Sequence, residues 1–538
     1  MKEQNPNQVA VNSFVQRCAI QLSTEKPDVL EKCQQTMEIF ARLHEVVNDP
    51  VTRETMALKK AQLAYDMVLA QLKVESAQKL ALQGISLEII SQIDPITKTL
   101  THNTVVTFGN AQSGSNTLLE VHLDTVAAPN YELKSQDNRL IGRTVQDDTI
   151  HAAAMLSSLS EIKVPEIGAI TVVFSDHEEN GCRGSSALLS TLLERVSANY
   201  PVACIALEST EGQLAIGHRG KFSGNVHGGP IDPEQTALVA MDFCRQLSHV
   251  QRQVYQDSGD SSLLGKTVGT STFGEIRPEK TEAKLDFRTI ETVTASHVEE
   301  RWNDLGHSMK EEQLVPSAKE RLESSLIRIV VNEGQILILS DSKKLHPSEF
   351  DPTNDETVIP VMYLVLRTLE LLQSSGKVSC IAWGSKEKQN SNPMTAVISG
   401  NWTDLRSEDL IRQMLAFVPS EEALPATHAF SLINTDKTDC VVSPQDDVVK
   451  RIVHDCSVIA GHPIGTTVKN FMTDIGRAFN AFKSRGQRSY GFIFGVGDSS
   501  RLHGLEEVSV NDLIELTTLL GKLPNIIQSE MGWTDGLL

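Results

Sequence analysis

The sequence predicts an α/β protein that is interrupted in its middle by a segment of α+β character. Toward both ends of the chain, short apolar runs typical of strands alternate with helical patterns, as in NTLLEVHL, IHAAAMLSSL, AITVVF and SSALLSTLLERV. This alternation favours a largely parallel sheet covered by helices. Between about Gly217 and Phe430 the strands look antiparallel and helices are fewer, which favours a separate inserted domain.

The length of the chain also indicates more than one domain. A chain of 538 residues is too long for a single hydrophobic core. We predict that residues 1–216 and 435–538 form one α/β domain, with residues 1–27 as an N-terminal extension. Residues 217–434 are predicted to form the inserted domain.

Composition excludes several classes of partner. The formal net charge of -20 argues against nucleic acid or an anionic membrane surface as a partner. The eight cysteines are irregularly spaced and form no CxxC pair, which favours reduced thiols. No signal-like apolar segment opens the chain, and no window reaches the ~18 apolar residues of a membrane span. A cytoplasmic protein without a membrane partner is therefore expected.

The individual elements follow from hydrophobic spacing. Helices are predicted over VLEKCQQTMEIFARLHEVV and ETMALKKAQLAYDMVLAQL, followed by strands at NTVVTF, NTLLEVHL, AITVVF and ACIAL. Toward the C-terminus, a helix is predicted at QDDVVKRIVHDCSVIAG, a strand at SYGFIFGVG and a final helix at VSVNDLIELTTLLGKL.

The middle segment looks like two copies of one ferredoxin-like β-α-β-β-α pattern that split near residue 315. The first copy contains the helices TALVAMDFCRQL and SHVEERWNDL, and the second contains VIPVMYLVLRTLELL and SEDLIRQMLAF. The last strand of each copy closes with Asp-x-Arg, at residues 286–288 and 404–406. A chance match of one short pattern is the alternative, but the shared order of elements favours duplication.

Potential metal ligands follow five short segments, most of them predicted strands. They are His122 and Asp124, Asp147 and Asp148, Glu178 and Glu179, Glu208, and His503. In open α/β sheets, ligands bind just beyond the carboxyl ends of the strands, so these side chains are expected to converge. Two imidazoles and several carboxylates suit a divalent ion such as Zn²⁺.

Each of these residues alone has a simpler interpretation. His122 alone is typical of a structural histidine with a satisfied hydrogen bond, and Asp147 with Asp148 could cap the following helix. Glu178 and Glu179 could lie in a solvated loop. The metal hypothesis therefore depends on the whole set falling at one edge of the sheet.

Taken in order, the motifs HLD, QDD, HEENG, ALES and RLHGLEE resemble those of the co-catalytic zinc peptidases and deacylases. This family includes aminoacylase, acetylornithine deacetylase, succinyl-diaminopimelate desuccinylase, glutamate carboxypeptidase and the dipeptidase V-like enzymes. The resemblance spans about residues 30–525, and GHRG at 217–220 also resembles the family's entry into its inserted lid domain. It implies a three-layer α/β/α catalytic domain with an α+β lid.

The resemblance also implies a role for each ligand. Two zinc ions per chain, replaceable by Co²⁺ or Mn²⁺, would be bound by His122 and Glu208, by Glu179 and His503, and by a bridging Asp147. Glu178 would be the general base that moves a proton from a zinc-activated bridging water to the leaving amine. Asp124 would orient the imidazole of His122. The implied substrate is a small peptide or N-acyl amino acid that carries a carboxylate.

In this family a lid histidine reaches the transition-state oxyanion. The segment ILILSDSKKLHPSEFDP points to His346, with His227 as its rival and a surface-loop histidine as the ordinary alternative. Arg406 is a candidate for binding a substrate carboxylate, and pairing with Asp404 is an equally open alternative. In dipeptidase V-like members a second lid half takes the partner subunit's place, so a monomer is favoured over a homodimer.

The sequence departs from the family around the substrate pocket. Thr149, Ile150 and His151 stand where Lys-Gly-Gly or Gly-Gly is usual, and NFMTD keeps only Thr473 and Asp474 of the Gly-Gly-Thr-Asp loop. None of these changes removes a ligand. The acid in ALES favours deacylases and carboxypeptidases, whereas the lid favours dipeptidases, so the substrate stays open.

Two other classes of function compete with hydrolysis. A catalytically inactive homologue that binds a metabolite or a protein is the main alternative, although drift is expected to lose ligands first and the ligand set is complete. A thiol nucleophile at Cys182, beside His177, is weaker because no oxyanion-hole turn accompanies it.

Overall fold

The computed structural model describes most of the chain. The described residues are 5–22, 27–47, 53–95, 97–125, 132–179, 181–228, 270–271, 276–277, 280–289, 294–304, 311–324, 327–332, 334–340, 359–374, 378–385, 395–402, 405–419, 428–434, 439–469, 472–498 and 506–535.

The helices occur in both terminal parts of the chain and in its middle. Among the described residues they are α1 Pro6–Leu22, α2 Pro27–Val47, α3 Arg53–Gln71, α4 Ala77–Ala81, α5 Ile150–Ser158, α6 Arg183–Arg195, α7 Ala295–Asp304, α8 Glu311–Glu323, α9 Ile359–Ser374, α10 Ser407–Ala416, α11 Asp447–Ala460, α12 Ile475–Ser484, α13 Val510–Leu519 and α14 Leu523–Asp535. None of these helices combines the length and the apolar character needed to cross a membrane.

The strands fall into three sheets. Over the same described ranges they are β1 Ile85–Ile93, β2 Leu100–Asn110, β3 Asn116–His122, β4 Lys134–Gln136, β5 Arg139–Gly142, β6 Gly168–Ser175, β7 Val202–Leu207, β8 Leu214–His218, β9 Gly220–Gly228, β10 Thr270–Ser271, β11 Ile276–Arg277, β12 Lys280–Thr289, β13 Ile327–Asn332, β14 Gln335–Ser340, β15 Val378–Ser385, β16 Thr395–Trp402, β17 His428–Asn434, β18 Cys440–Val441, β19 Thr466–Lys469, β20 Ser489–Phe494 and β21 Glu506–Ser509.

The chain divides into two compact units. The first comprises Met1–His218 and Thr438–Leu538, and the second comprises Arg219–Lys437. The first unit contains the central α/β sheet and the small sheet, and the second contains an antiparallel sheet.

The central sheet of the first unit has the strand order β1-β2-β6-β3-β7-β20-β8-β18, with β19 beside β8. Its middle strands β6, β3, β7 and β20 pair in parallel. Toward the edges, β1 with β2, β2 with β6, and β20 with β8 pair antiparallel. The expected α/β fold class is confirmed, with a mixed sheet that is parallel in its middle and again where β19 joins β8.

The middle strands are covered on both faces. Every residue of β3 and β7 is buried, and successive side chains of a strand point to opposite faces. Strands that are buried on both faces read as nearly continuous apolar runs, which explains ACIAL and most of NTLLEVH. Glu120 and His122 interrupt that pattern as buried polar residues in β3.

A small three-stranded sheet has the order β21-β5-β4. Strands β4 and β5 form a hairpin just before QDD, and β21 adds to its edge with Glu506 opposite Gly142. This pairing brings the residues after the segment RLHGL next to the turn that carries Asp147.

The second unit contains a sheet in which every recorded pair of strands is antiparallel, in the order β13-β14-β16-β15-β11-β12-β9-β17 with β10 beside β12. The elements β14, α9, β15, β16 and α10 follow the order expected for the second copy of the pattern. In the other half of the sheet, β9, β12 and β11 follow one another in the same spatial order as β14, β16 and β15. The two halves are joined where the backbone of Ile276 in β11 pairs with that of Trp383 in β15. The first helix expected for the first copy lies outside the described residues, so duplication stays a prediction.

The close approach of β8 to β18 explains why Gly217, the first residue of GHRG, is a glycine. Its φ of +140° lies in a region that side chains rarely adopt, and a Cβ there would lie 1.9 Å from the carbonyl oxygen of Cys440. Only glycine allows β8 to approach β18 this closely. Gly217 is the next-to-last residue of β8, where the chain leaves the central sheet.

Candidate metal centre

The parallel strands β3, β6 and β7 end at the same edge of the central sheet. His122, the last residue of β3, lies opposite Ser175 at the end of β6. Glu120 of β3 lies opposite Ala206 of β7, so His122 and Glu208 emerge side by side beyond the strand ends. The parallel register thus brings two ligand candidates together from positions far apart in sequence.

Asp147 completes a buried cluster with these two residues. Its Oδ1 lies 3.0 Å from Nε2 of His122, and Oε1 of Glu208 lies 3.6 Å from the same nitrogen. One ligand atom from each of the three side chains falls within 4.8 Å of the others, and all three residues are buried. Among the described residues, this is the group of His, Cys, Asp and Glu side chains arranged to hold a metal ion.

The tautomer of His122 suits metal binding through Nε2. Its Nδ1 lies 2.9 Å from the backbone carbonyl oxygen of Asp124, and a carbonyl oxygen can only accept, so Nδ1–H is the donor. Nε2 is then left facing the carboxylates of Asp147 and Glu208. A neutral imidazole whose second nitrogen is fixed by a hydrogen bond is the usual form of a histidine ligand.

Asp124 connects His122 with the acidic loop. Its carboxylate accepts the backbone N–H of Glu178 at 2.9 Å and the backbone N–H of Glu179 at 3.1 Å. The distance from Nδ1 of His122 to the carboxylate is longer, at 3.5 Å. The carbonyl of Asp124 therefore orients the imidazole, and its side chain holds the two adjacent glutamates.

Asp147 and Asp148 lie in an irregular turn and do not act as helix caps. Both have non-helical backbone angles within the turn Val145–Thr149. The N-cap residue of α5 is Thr149, which makes no side-chain capping bond, and Asp148 instead contacts Nδ1 of His151. The structure therefore does not support the simpler interpretation that Asp147 and Asp148 cap α5.

His151 links this turn to the loop that follows β20. It is fully buried, and its Nε2 accepts the backbone N–H of Val496 at 3.1 Å. Burial lowers the pKa of His151 to about 4, so its imidazole is neutral. A Cβ at Gly495 would lie 2.4 Å from Nε2 of His151, so the histidine fills the space beside that glycine.

The carboxyl groups around His122 raise one another's pKa. Burial raises the pKa of Glu178, Glu179 and Glu208 well above the ordinary value, and repulsion between neighbouring carboxylates raises it further. Burial alone would lower the pKa of His122, but hydrogen bonds with Asp124 and Asp147 raise it well above its ordinary value. The imidazole of the metal-free protein is therefore protonated, and a metal ion at Nε2 would displace that proton. A set of acids this close together needs a proton or a metal cation to offset its charge. An imidazole with several carboxylates fits Zn²⁺ as a donor set.

The cysteine beside the acids is not a thiolate. The Sγ of Cys182 lies 3.5 Å from Oε1 of Glu178, and the residue is buried. Burial, followed by the charges of Asp474 and Glu178, raises the pKa of the thiol well above its ordinary value. The protonated thiol is a poor nucleophile, which argues against the thiol mechanism.

Thr473 and Asp474, the part of the Gly-Gly-Thr-Asp loop that this chain keeps, border the same site. Together with His122 and Glu208 they line a small pocket. Asp474 accepts hydrogen bonds from the hydroxyl groups of Ser185 at 2.5 Å and Ser175 at 3.2 Å. The retained dipeptide therefore packs directly behind the candidate ligands.

The remaining predicted site residues lie either outside the described residues or in the second unit. His503 and His346 lie outside the described residues, as does Asp404. His227 belongs to β9, where its backbone lies opposite Glu282 and Ala429. Arg406 is exposed at the N-cap position of α10 in the second unit. Their roles stay predictions.

Sequence reasoning missed Glu506 at this site. The carboxylate of this buried residue accepts the backbone N–H of Gln146 at 2.8 Å and of Asp147 at 3.2 Å. Burial, with repulsion from Asp147, raises the pKa of Glu506 to about 8. Glu506 belongs to the motif RLHGLEE, but no pattern in the sequence indicates that its side chain binds the backbone of a distant segment.

A model of the peptidase family M20/M25/M40 matches residues 118–525. No curated protein sequence matches the chain.

Solved structures with a similar chain path include several peptidases. A dipeptidase from Saccharomyces cerevisiae is 13% identical, with 97% of this chain and 99% of that chain covered at a TM-score of 0.45. Human carnosine dipeptidase 1 is 12% identical, with 96% and 100% covered at 0.44. A metallo-carboxypeptidase from Sulfolobus solfataricus is 12% identical, with 91% and 99% covered at 0.43.

Proposed function

Because the chain belongs to the peptidase family M20/M25/M40, we propose that it is a metal-dependent hydrolase of a peptide or N-acyl amide bond. The proposed substrate is a small molecule with a free carboxylate next to the scissile bond. The observation that carries this proposal is the buried cluster of His122, Asp147 and Glu208. A metallopeptidase needs such a cluster, and an ordinary structural site rarely buries two carboxylates beside one imidazole.

We assign the metal ligands as the motifs imply. His122 and Glu208 would hold one ion, Asp147 would bridge to a second, and Glu179 with His503 would complete the second site. Bound zinc would act as a Lewis acid and lower the pKa of water toward neutrality. Co²⁺ or Mn²⁺ would serve as substitutes for zinc.

The proton transfer is assigned to Glu178. Its carboxyl would take a proton from the attacking water, hold it, and donate it to the nitrogen of the leaving amine. Asp124 supports this role, because its carboxylate fixes the backbone N–H of Glu178.

Substrate-binding groups come from the second unit in this proposal. His346 would donate to the developing oxyanion, His227 is its rival, and Arg406 would bind the substrate carboxylate. The substrate class stays open among dipeptides, carboxypeptidase substrates and N-acyl amino acids. We also propose a cytoplasmic monomer with no nucleic acid or membrane partner, for which sedimentation at 59.1 kDa is the check.

The test of this proposal separates chemistry from metal binding. Protein purified without chelator is expected to contain about two equivalents of zinc and to hydrolyse at least one member of a panel of dipeptides and N-acyl amino acids. Glu178→Gln is expected to keep its metal and lose about 10²–10⁴-fold in turnover, as removal of a general base does.

Glu166→Gln provides the matched control, because Glu166 lies in the turn before β6, away from the cluster. This variant is expected to keep both metal and turnover. Metal-free protein that hydrolyses nothing on the panel would favour the alternative, a catalytically inactive homologue that binds a metabolite or a protein.

A further inference from the structure

Glu506 is a buried carboxylate that makes its hydrogen bonds to the backbone of another segment. Only 1% of its surface is exposed. One oxygen, Oε2, accepts both the N–H of Gln146 at 2.8 Å and the N–H of Asp147 at 3.2 Å. The other oxygen lies 4.0 Å from Nη1 of Arg143. The side chain is therefore aimed at the turn that carries Asp147.

The segment that holds Glu506 is fixed by its own secondary structure. Glu506 begins β21, which pairs with β5, and its backbone lies opposite Gly142. The next turn of chain after β5 leads directly to Gln146 and Asp147. Glu506 thus connects the small sheet to the backbone of the irregular turn, beside the bond from Nε2 of Gln146 to the carbonyl of Glu507.

The N–H groups of Gln146 and Asp147 need an acceptor from outside the turn. Both residues lie at the start of the turn Val145–Thr149, where a helical turn leaves its first N–H groups without an internal partner, and Asp147 has non-helical angles of φ −112° and ψ 86°. A buried N–H without an acceptor costs about 1–3 kcal/mol. The direction of the Asp147 side chain follows from the backbone angles that this acceptor stabilises.

We propose that Glu506 is a positioning residue that aims the carboxylate of Asp147 at His122 and Glu208. By holding the N–H of Asp147 it keeps Oδ1 3.0 Å from Nε2 of His122, close enough for one metal ion to contact both atoms. This role rests on the proposed function, since it matters only if Asp147 binds metal. It differs from a merely structural role because it predicts a change in metal affinity.

The neighbouring residue provides a matched control. Glu507 lies on the same strand, but its side chain contacts Nη1 of Arg139. Its backbone carbonyl accepts from Nε2 of Gln146, and this contact survives any change of the Glu507 side chain. Glu507→Gln therefore weakens an ion pair on β21 without touching the acceptor of the Asp147 N–H.

The experiment titrates metal-free protein with Co²⁺, followed by its visible absorption and by calorimetry, beside thermal unfolding of the same metal-free samples. Glu506→Ala is expected to bind Co²⁺ about 10- to 100-fold more weakly, the usual cost of losing a group that orients a ligand. Glu506→Gln keeps an oxygen that can accept both N–H groups and is expected to bind within a few-fold of wild type. Glu507→Gln is expected to bind as wild type does.

Three outcomes would overturn the role. Wild-type affinity in Glu506→Ala would mean that Asp147 needs no such support. Equal losses in Glu506→Gln and Glu506→Ala would exclude the shared acceptor, and an equal loss in Glu507→Gln would indicate a general weakening of the strand. If Glu506→Ala does not fold, Glu506→Asp replaces it, because a side chain shorter by one methylene reaches the two N–H groups less well and should weaken Co²⁺ binding.

The same titration separates this role from the proposed function. Wild-type protein that binds no Co²⁺ would overturn the metal site itself. Wild-type protein that binds Co²⁺, together with variants that bind equally well, would overturn only the role of Glu506.

Discussion

At the scale of single residues, Asp124 has a second task that its position in HLD does not indicate. The resemblance assigns it to His122, yet its carboxylate is bound to the N–H groups of Glu178 and Glu179. One residue thereby fixes a ligand candidate through its backbone carbonyl and the acidic loop through its side chain. A change of its side chain should disturb the loop more than the imidazole.

The variant Asp124→Asn tests this division. An asparagine has a single acceptor oxygen and would place an NH₂ group against one of the two N–H groups. We expect metal affinity to fall roughly 10- to 100-fold and turnover to fall with it, measured by calorimetric titration and by steady-state assay.

The control for that variant is Asp137→Asn in the turn between β4 and β5. Asp137 has a positive φ of 49° and is exposed, and asparagine tolerates this conformation. Metal affinity should be unchanged there. An undisturbed site in Asp124→Asn would contradict the role of the side chain.

At the scale of elements, prediction succeeded where a strand end alone decides the position of a side chain. His122 and Glu208 were expected together because parallel strands end at one edge, and the register of β3 with β7 places them there. The antiparallel edges of the sheet were not predicted. The apolar pattern of β2 gives no sign of its direction, which is set by the short turn after β1 and by pairing with β6.

Contacts made by a backbone are harder to predict than strand ends. Glu506 and His151 each bind an N–H group of a segment more than 300 positions away. No periodicity or spacing links such partners, since any residue but proline offers an N–H group. Without the fold, Glu506 in LEE and His151 after QDD look like ordinary polar residues.

The approach of β8 to β18 makes a prediction for Gly217. Gly217→Ala would place a Cβ 1.9 Å from the carbonyl oxygen of Cys440 at a φ of +140°. We expect a loss of roughly 2–4 kcal/mol in the free energy of unfolding, measured by urea denaturation.

Gly532→Ala in α14 is the matched control for this glycine. Nothing lies within 4 Å of a Cβ at Gly532. Alanine favours a helix over glycine by roughly 1 kcal/mol, so this variant should be as stable as wild type or more so. Equal stability of the two variants would show that β8 and β18 can separate at little cost.

At the scale of the whole molecule, the buried acids connect stability with pH and metal. Burial raises the pKa of Glu506 from 4.5 to about 8, and it raises that of Glu178, Glu179 and Glu208 in the same direction. A carboxyl with a raised pKa in the folded state stabilises the fold fully below pH 4.5 and loses that contribution as pH rises toward 8. Metal cations reverse this trend because they favour the ionised carboxylates.

Metal-free protein should therefore become less stable between pH 5 and 8, whereas the zinc-loaded protein should not. The difference in melting temperature between the two forms is expected to widen as pH rises through this window, measured by scanning calorimetry with and without a chelator. A difference that narrows with rising pH would contradict the assignment of these acids to a metal site.

The sheet of the second unit has one further consequence. Its strands β11 and β15 pair within a single polypeptide, so the residues on the two sides of this pairing are encoded at separate positions of the gene. In a sheet built from two identical subunits, one codon change alters the residues on both sides of the pairing at once. Here a substitution in β11 leaves the sequence of β15 unchanged, so the contribution of each strand can be measured with the other intact.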